Sequence, residues 1–296
     1  MLQTLVFGLS IGAIYAFMAL ALGMIYSTTQ ILNFCHATVI MIGAMVAYYC
    51  IGVFGMPYLV GVLIAIAVNA TINIIVYYAC LKGVGDFLSN INWIITLFGM
   101  SIVLNNVSRI VFGANQNPFP YLFNGASVKI GNATILWHEI FCIVFAIVIG
   151  VIYQQICQKT KFGRALRAVS VKPQTAKLMG INSNLIIQIC FIMSAAVAAF
   201  GGVLIAPTTF ASFSMTSSIG LKGYAAALIG GLGNTKGAFI GGFMLGLIEC
   251  IVTLFIPAGL KDAVSFVIMI IVIIFLPGGV LSAKIFTHGN SATEKV

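Results

Sequence analysis

The sequence predicts an all-α polytopic membrane protein, with about eight transmembrane helices and one short, broken or re-entrant helix. Three observations lead there. Of 296 residues, 61% are hydrophobic and 6% are charged, with a mean hydropathy of +1.14, whereas a soluble domain carries about 25% charged residues. No Lys, Arg, Asp or Glu occurs between Met1 and Leu81, although about 20 apolar residues already cross the hydrocarbon core. The apolar runs are continuous rather than alternating, which selects helices over a barrel as the way to pair every backbone group in lipid.

Taken in order, the runs place helices at about 5–26, 35–54, 58–81, 91–112, 138–158, 184–206, 236–256 and 262–281. The first run lacks a basic leader and a small-residue cleavage site, so it is expected to be retained. Gly55-Met56-Pro57 reads as a tight turn and residues 82–90 as a short polar loop. Residues 113–137, rich in Asn, Pro and Gly, form a loop with a small hairpin expected from Ser127 to Leu136. The whole chain, 1–296, reads as a single transmembrane domain.

Lysine and arginine set the orientation. Lys159, Lys161, Arg164, Arg167, Lys172 and Lys177 fall within 19 residues that hold no acid, so the loop 159–184 is expected in the cytoplasm. Lys284 places the C-terminus there too, and the loop 113–137 then lies outside. Parity demands one more crossing between Pro207 and Lys236. Leu221 to Gly233 offers about 20 Å of helix, short of the ~30 Å core, and is expected to be a broken helix ending at Gly230, Gly231 and Gly233. The same count puts the N-terminus outside. The formal charge of +9 lies mostly in that one loop, so nucleic acid is not an expected partner; anionic lipid is.

Small residues recur every fourth position at Gly8, Gly12 and Ala16, at Ser194, Ala198 and Gly202, at Gly237 and Gly241, and at Gly242 and Gly246. Such ridges let helix backbones approach closely. The seven cysteines lie in or beside apolar runs and read as small core residues.

The loop 159–184 carries the most local information. Lys161 to Val169 has good helix formers, with Arg164 and Arg167 on one face. Pro173 suits the first position of a second helix. Gly180 suits its C-terminal cap, with Ile181 packing back. Asn182, Ser183 or Asn184 can start the next span. The result is a rigid two-turn helix, Pro173 to Met179, held between two membrane helices.

Seven polar residues stand out against the apolar background. His36 is the only ionisable side chain in the first 81 residues apart from the terminal amine. Near the inner end of helices 1 and 2, it either lines a pathway or fixes the Asn33 turn. Glu249 reads as mid-helix, where a charge costs at least ~2.5 kcal/mol and needs a partner or water; it either faces a cavity or pairs across the bundle. Asn105 and Asn106 precede Arg109 by one turn, and Arg109 reads as snorkelling outward. Asn69 and Asn73 read as ties between helices. Paired carboxylates, a two-His metal spacing, a nucleophile–base set and a phosphate-binding loop are all lacking, so neither catalysis, metal nor cofactor is expected. On the residues alone an ion-coupled transporter and a lipid-anchored scaffold remain open beside a permease driven by a separate ATPase.

A resemblance narrows this. Gln174-Thr175-Ala176, three residues, then Gly180 is similar to the coupling loop of bacterial ATP-binding-cassette (ABC) permeases, with Gln for Glu and Thr for the middle Ala. Phe162-Gly163-Arg164-Ala165-Leu166-Arg167-Ala168-Val169, Ala176 to Asn182, Ala199 to Leu204 and Gly8 to Ala16 resemble the branched-chain amino-acid permease family. Asn33-Phe34-Cys35-His36 and Gly223 to Gly246 resemble it as well. Lys172 replaces an acidic residue common in that family, and Ala37-Thr38 a small–acidic pair. The likeness is to the H-type subunit. It implies an ABC importer in a bacterial inner membrane, with an M-type permease subunit, two cytoplasmic ATPases, an external substrate-binding protein and leucine, isoleucine or valine as cargo. It also implies that Gly163, Arg164, Arg167, Pro173, Ala176, Lys177 and Gly180 couple to the ATPase. Asn33, His36, Asn105 and Glu249 are the candidate pathway residues. Urea, amides, other amino acids or sugars are the alternative cargoes.

Overall fold

The computed structural model describes residues 2–82, 92–123, 125–130, 133–255, 257–276 and 278–280. The inter-helix loop after Lys82, Asn124, Gly131, Asn132, the end of the eighth expected helix and Lys284 lie outside them. The chain is helical almost throughout: α1 (Leu2–Thr29), α2 (His36–Tyr48), α3 (Tyr58–Val76), α4 (Asn92–Phe112), α5 (Trp137–Lys159), α6 (Lys161–Val171), α7 (Pro173–Leu178), α8 (Ser183–Thr209), α9 (Leu221–Gly230), α10 (Thr235–Val252) and α11 (Lys261–Phe275). Turns of π-helix, Tyr49–Val53 and Tyr77–Leu81, extend α2 and α3, and a third, Thr216–Gly220, leads into α9. Among the described residues, seven helices are long and apolar enough to cross a membrane, namely α1 to α5, α8 and α10. The expected hairpin is present as β1 (Ser127–Ile130) and β2 (Ala133–Leu136), antiparallel with Ser127 opposite Leu136.

α1 and α8 form the middle of the bundle, and the small-residue ridges explain how. A Cβ added at Gly242 would collide with the backbone of Ala16, and one at Gly246 with that of Gly12. α1 and α10 therefore meet backbone to backbone, as the small-residue spacing requires. On the other side, Ser194 of α8 donates to the Ala21 carbonyl at 2.7 Å, and Gly202 lies on the Ile40 carbonyl of α2. α3 is tied in by its two asparagines, as expected. Asn73 donates to the Phe191 carbonyl of α8 at 3.2 Å. The Asn69 amide, oriented to satisfy both partners, meets the Val39 carbonyl and the Gly43 N–H at 3.0 Å. Six of the seven cysteines are buried and all are free.

The short helix anticipated between Pro207 and Lys236 is there. With its π-turn, α9 runs Thr216 to Gly230 and stops where Gly231 (φ +103°) and Gly233 (φ +88°) leave helical space. Two other expectations are corrected. The seventh expected span, 236–256, ends at Val252, where the chain turns through Thr253 to Phe255; Pro257 cannot donate to a continuing helix. The eighth, 262–281, has only 15 helical residues, about 22 Å, and stops at Phe275. Beyond it, the Val280 N–H donates to the Ile229 carbonyl at 2.8 Å and Gly279 packs on Gly231. α9 and α11 are thus two short helices whose ends are pinned together.

Candidate functional site

The segment after α5 folds as the local signals dictate. Thr160 caps α6, its hydroxyl accepting from the Gly163 N–H at 3.2 Å. Gly163 lies on the Cys157 carbonyl so closely that any side chain would collide with it. Leu166 and Val169 follow at three-residue intervals on the buried face, while Arg164 and Arg167 point to solvent. Pro173 occupies the first position of α7, and the helix ends at Leu178, one residue before the expected end, with Met179 as its C-cap. Gly180 sits at φ +81°. Its N–H donates to the Lys177 carbonyl and the Ile181 N–H to the Ala176 carbonyl, both at 3.0 Å, the two bonds of a Schellman closure.

Ala176 is the residue of α7 that faces inward, joining a cluster with Leu166, Val169, Ile186 and Ile187. Ser183 donates to the Pro173 carbonyl at 2.9 Å, and Asn182 caps α8 through the Leu185 N–H at 3.2 Å. α7 is therefore fastened at both ends to the foot of α8. Large apolar side chains stand exposed beside Gln174, Thr175 and Lys177: Leu178 is 88% exposed, Met179 79% and Val171, just before the helix, 78%. Between α6 and α7 lies a concavity of about 400 Å³ lined by Ala168, Val171, Lys172, Thr175, Ala176, Met179 and Ile181.

A second polar assembly lies inside the bundle. Glu249, 3% exposed, accepts from Lys222 Nζ at 2.7 Å, from the Tyr15 hydroxyl at 3.0 Å and from Ser265 Oγ at 3.3 Å. Lys222, also 3% exposed, reaches Asp262 at 2.7 Å, and Lys261 Nζ lies 4.0 Å from Glu249. Two cations thus face two anions. The cluster joins α1, α9, α10 and α11, and the Glu249 carboxylate is paired across the bundle. It stands in the last turn of α10 rather than mid-helix, because that helix ends early.

Asn33 and His36 come together in the connection between α1 and α2. Gln30 turns back at φ +57°, and Asn33 and Cys35 are fully buried. The Asn33 side chain accepts from the Cys35 N–H at 3.0 Å, and its carbonyl accepts from the Tyr224 hydroxyl at 2.7 Å. Gly220 packs on Ala37 and Gly223 on Met18, so the start of α2 lies beside the middle of α1. The expected position of His36 at the inner end of the bundle is corrected accordingly. Lys222 and Tyr224, two residues apart, face opposite sides of α9, one toward Glu249 and one toward Asn33. Asn105 is half-buried on α4, one turn beyond Ser101, whose hydroxyl meets Thr38 at 2.9 Å. Arg109 stacks on Phe213 at 5.3 Å. Glu249 is not part of the Asn33–His36 group.

Residues 4–273 match the family described as branched-chain amino acid transport system / permease component. The chain belongs to that family. The permease is 29% identical to the high-affinity branched-chain amino acid transport system permease protein LivH of Salmonella typhimurium LT2, over 100% of this chain and 97% of that one. It is 30% identical to BraD of Pseudomonas aeruginosa, over 100% and 98%. It is 28% identical to a probable LivH of Methanocaldococcus jannaschii, over 89% and 87%.

Sequence reasoning on the permease missed Lys222, Tyr15 and Tyr224. A signal for the first existed. A buried Glu249 needs a cation within the bundle, and Lys222 is the only Lys or Arg between Lys177 and Lys236. His138 was also missed; its ring lies 2.8 Å from the Leu204 carbonyl, tying α5 to α8.

Proposed function

We propose that this chain is the H-type permease subunit of an ABC importer for branched-chain amino acids, lying in a bacterial inner membrane with its N-terminus outside and its C-terminus in the cytoplasm. One observation carries the reading: α7 is a Schellman-closed helix, anchored by Ala176, that leaves Leu178 and Met179 exposed. Apolar side chains at such exposure suit a protein partner rather than solvent. In this reading the partner is one of two separate ATPase subunits, for which the chain itself has no phosphate loop. Gly163, Pro173 and Gly180 set the shape of the α6–α7 unit, Arg164, Arg167 and Lys177 face the ATPase, and Ala176 holds α7 in place.

The relay follows from the bonds. A push on α7 reaches α8 through Ser183 and Asn182, and reaches α5 through the seat of Gly163. α8 packs on α1, α2 and α3, so tilting it moves the middle of the bundle. The Asn33–His36 connection, held to α9 by Tyr224, lies beside that movement, and with Asn105 it is the candidate lining of the pathway. An M-type permease subunit completes the membrane pair, and an external binding protein delivers the cargo to the side of the loop 113–137. The branched-chain cargo follows the relatives' names and the full-length likeness to them.

The test is uptake by the reconstituted complex. Labelled leucine is expected to accumulate only with ATP, to be displaced by isoleucine and valine, and to resist excess ribose or urea. Crosslinks from Lys177→Cys are expected to capture an ATP-hydrolysing subunit. Uptake without ATP would replace this reading with an ion-coupled carrier, and displacement by ribose would replace the cargo.

A further inference from the structure

On the outer side of the bundle a groove of about 340 Å³ runs between α5 and α10 over a floor from α1. Its two ends differ in chemistry. Ile147, Val151 and Ile240 line one end, with Leu20 and Phe239 beneath. Gln154, Gln158 and Lys236 line the other, beside Asn234 and Thr235. From Ile147 to Gln158 the groove follows twelve residues of α5, a rise of about 16 Å, or roughly half of a ~30 Å hydrocarbon core. It therefore has the length and the polarity of one leaflet's lipid.

The polar end is also electropositive. Lys236 is exposed and pairs with no acid among the described residues. Thr235 and Lys236 open α10, where backbone N–H groups lack partners within the helix and favour an anion; Asn234 caps the Gly237 N–H alone, at 3.2 Å. Lys159 and Lys161 follow Gln158 directly. The depth of the apolar end comes from Gly150, whose missing side chain lets the tip of the Phe239 ring reach α5.

We propose that this groove is a specific site for a bilayer phospholipid with an anionic headgroup, its phosphate at Lys236 and the first turn of α10 and one acyl chain along Val151 and Ile240. The site goes beyond the transport reading and does not rest on it: neither cargo nor ATPase enters.

The probes are phosphatidylglycerol and phosphatidylcholine, offered at equal ratio in nanodiscs holding the full chain with its co-purifying partners, and retained lipid is read by native mass spectrometry. Preferential retention of phosphatidylglycerol is expected. Lys236→Gln is expected to lower it about fivefold, the loss of one lysine's attraction to an anionic lipid, and Val151→Trp to lower both lipids. Because the tryptophan variant can misfold, a photoreactive residue at Ile240 in the otherwise native chain supplies a second reading and is expected to label lipid. Equal retention of the two lipids, an unchanged Lys236→Gln, or capture of a protein subunit from Ile240 would each overturn the site, whether or not uptake proceeds.

Discussion

The charge cluster at Glu249 and the short helix α7 invert each other. In the first, four charged groups gather at the end of α10, and two of them, Lys222 and Glu249, are buried at 3% exposure. In the second, Leu178 and Met179 are almost fully exposed. Each breaks the usual sorting of side chains, and they resolve it differently. The cluster is satisfied internally: every acceptor bond of Glu249 comes from another helix of the same chain. α7 is not: Leu178 and Met179 have no cover within the described residues, and the proposed ATPase contact would supply it. The buried assembly therefore concerns how α1, α9, α10 and α11 stay together, while the exposed one concerns what this chain meets.

The largest expected effect separates them on stability. Glu249→Gln leaves Lys222 buried with only the half-exposed Asp262 for charge compensation. Removing one partner of a buried pair costs about 3–5 kcal/mol, so the detergent-solubilised protein should unfold at a markedly lower temperature. A Lys222→Met, Glu249→Leu double variant removes both desolvation costs and should recover most of the loss. If the single variant stays within ~1 kcal/mol of the parent, the cluster is not what binds α9 and α11 to the bundle.

The converse experiment leaves the fold alone. Leu178→Ser with Met179→Ser removes no internal contact of consequence, since both side chains face outward, and the melting temperature should hold. Loss of two interface anchors at 1–2 kcal/mol each should weaken ATPase binding by tenfold or more, read by co-purification and by leucine uptake. Unaltered uptake with intact assembly would remove α7 from the coupling path.

The two regions also differed in how far the sequence disclosed them. α7 was legible almost to the residue because its determinants are local: Pro173 can begin a helix, Gly180 can end one, and both act through backbone geometry. The broken helix α9 was legible by a different route, the parity of crossings combined with a segment too short to span. The pairing of Lys222 with Glu249, 27 residues apart, depends on which faces of α9 and α10 meet, and no local rule gives that. The same holds for His36, whose depth depends on the return of residues 30–35 toward the middle of α1. The early ends of α10 and α11 were hidden because Thr253 to Phe255 and Leu276 keep the apolar character of the helices they terminate. Hydropathy registers burial and not the turn.

The smallest expected effect tests the joint between the two behaviours. Asn182 is neither buried nor part of a partner surface; its side chain accepts one bond, from the Leu185 N–H, and so fixes where α8 begins. Asn182→Ala should cost about 1 kcal/mol and Asn182→Gly only a few tenths, since glycine is itself tolerated at a helix start. Hydrogen exchange in the first turn of α8 should rise in the alanine variant, while the Glu249 region keeps its protection. If α7 relays force through a stiff foot of α8, uptake should fall in alanine and hold in glycine, although neither substitution touches a pathway or a partner. Equal uptake in the two variants, despite a measured difference in first-turn exchange, would mean that the relay runs through Ser183 and the Gly163 seat instead.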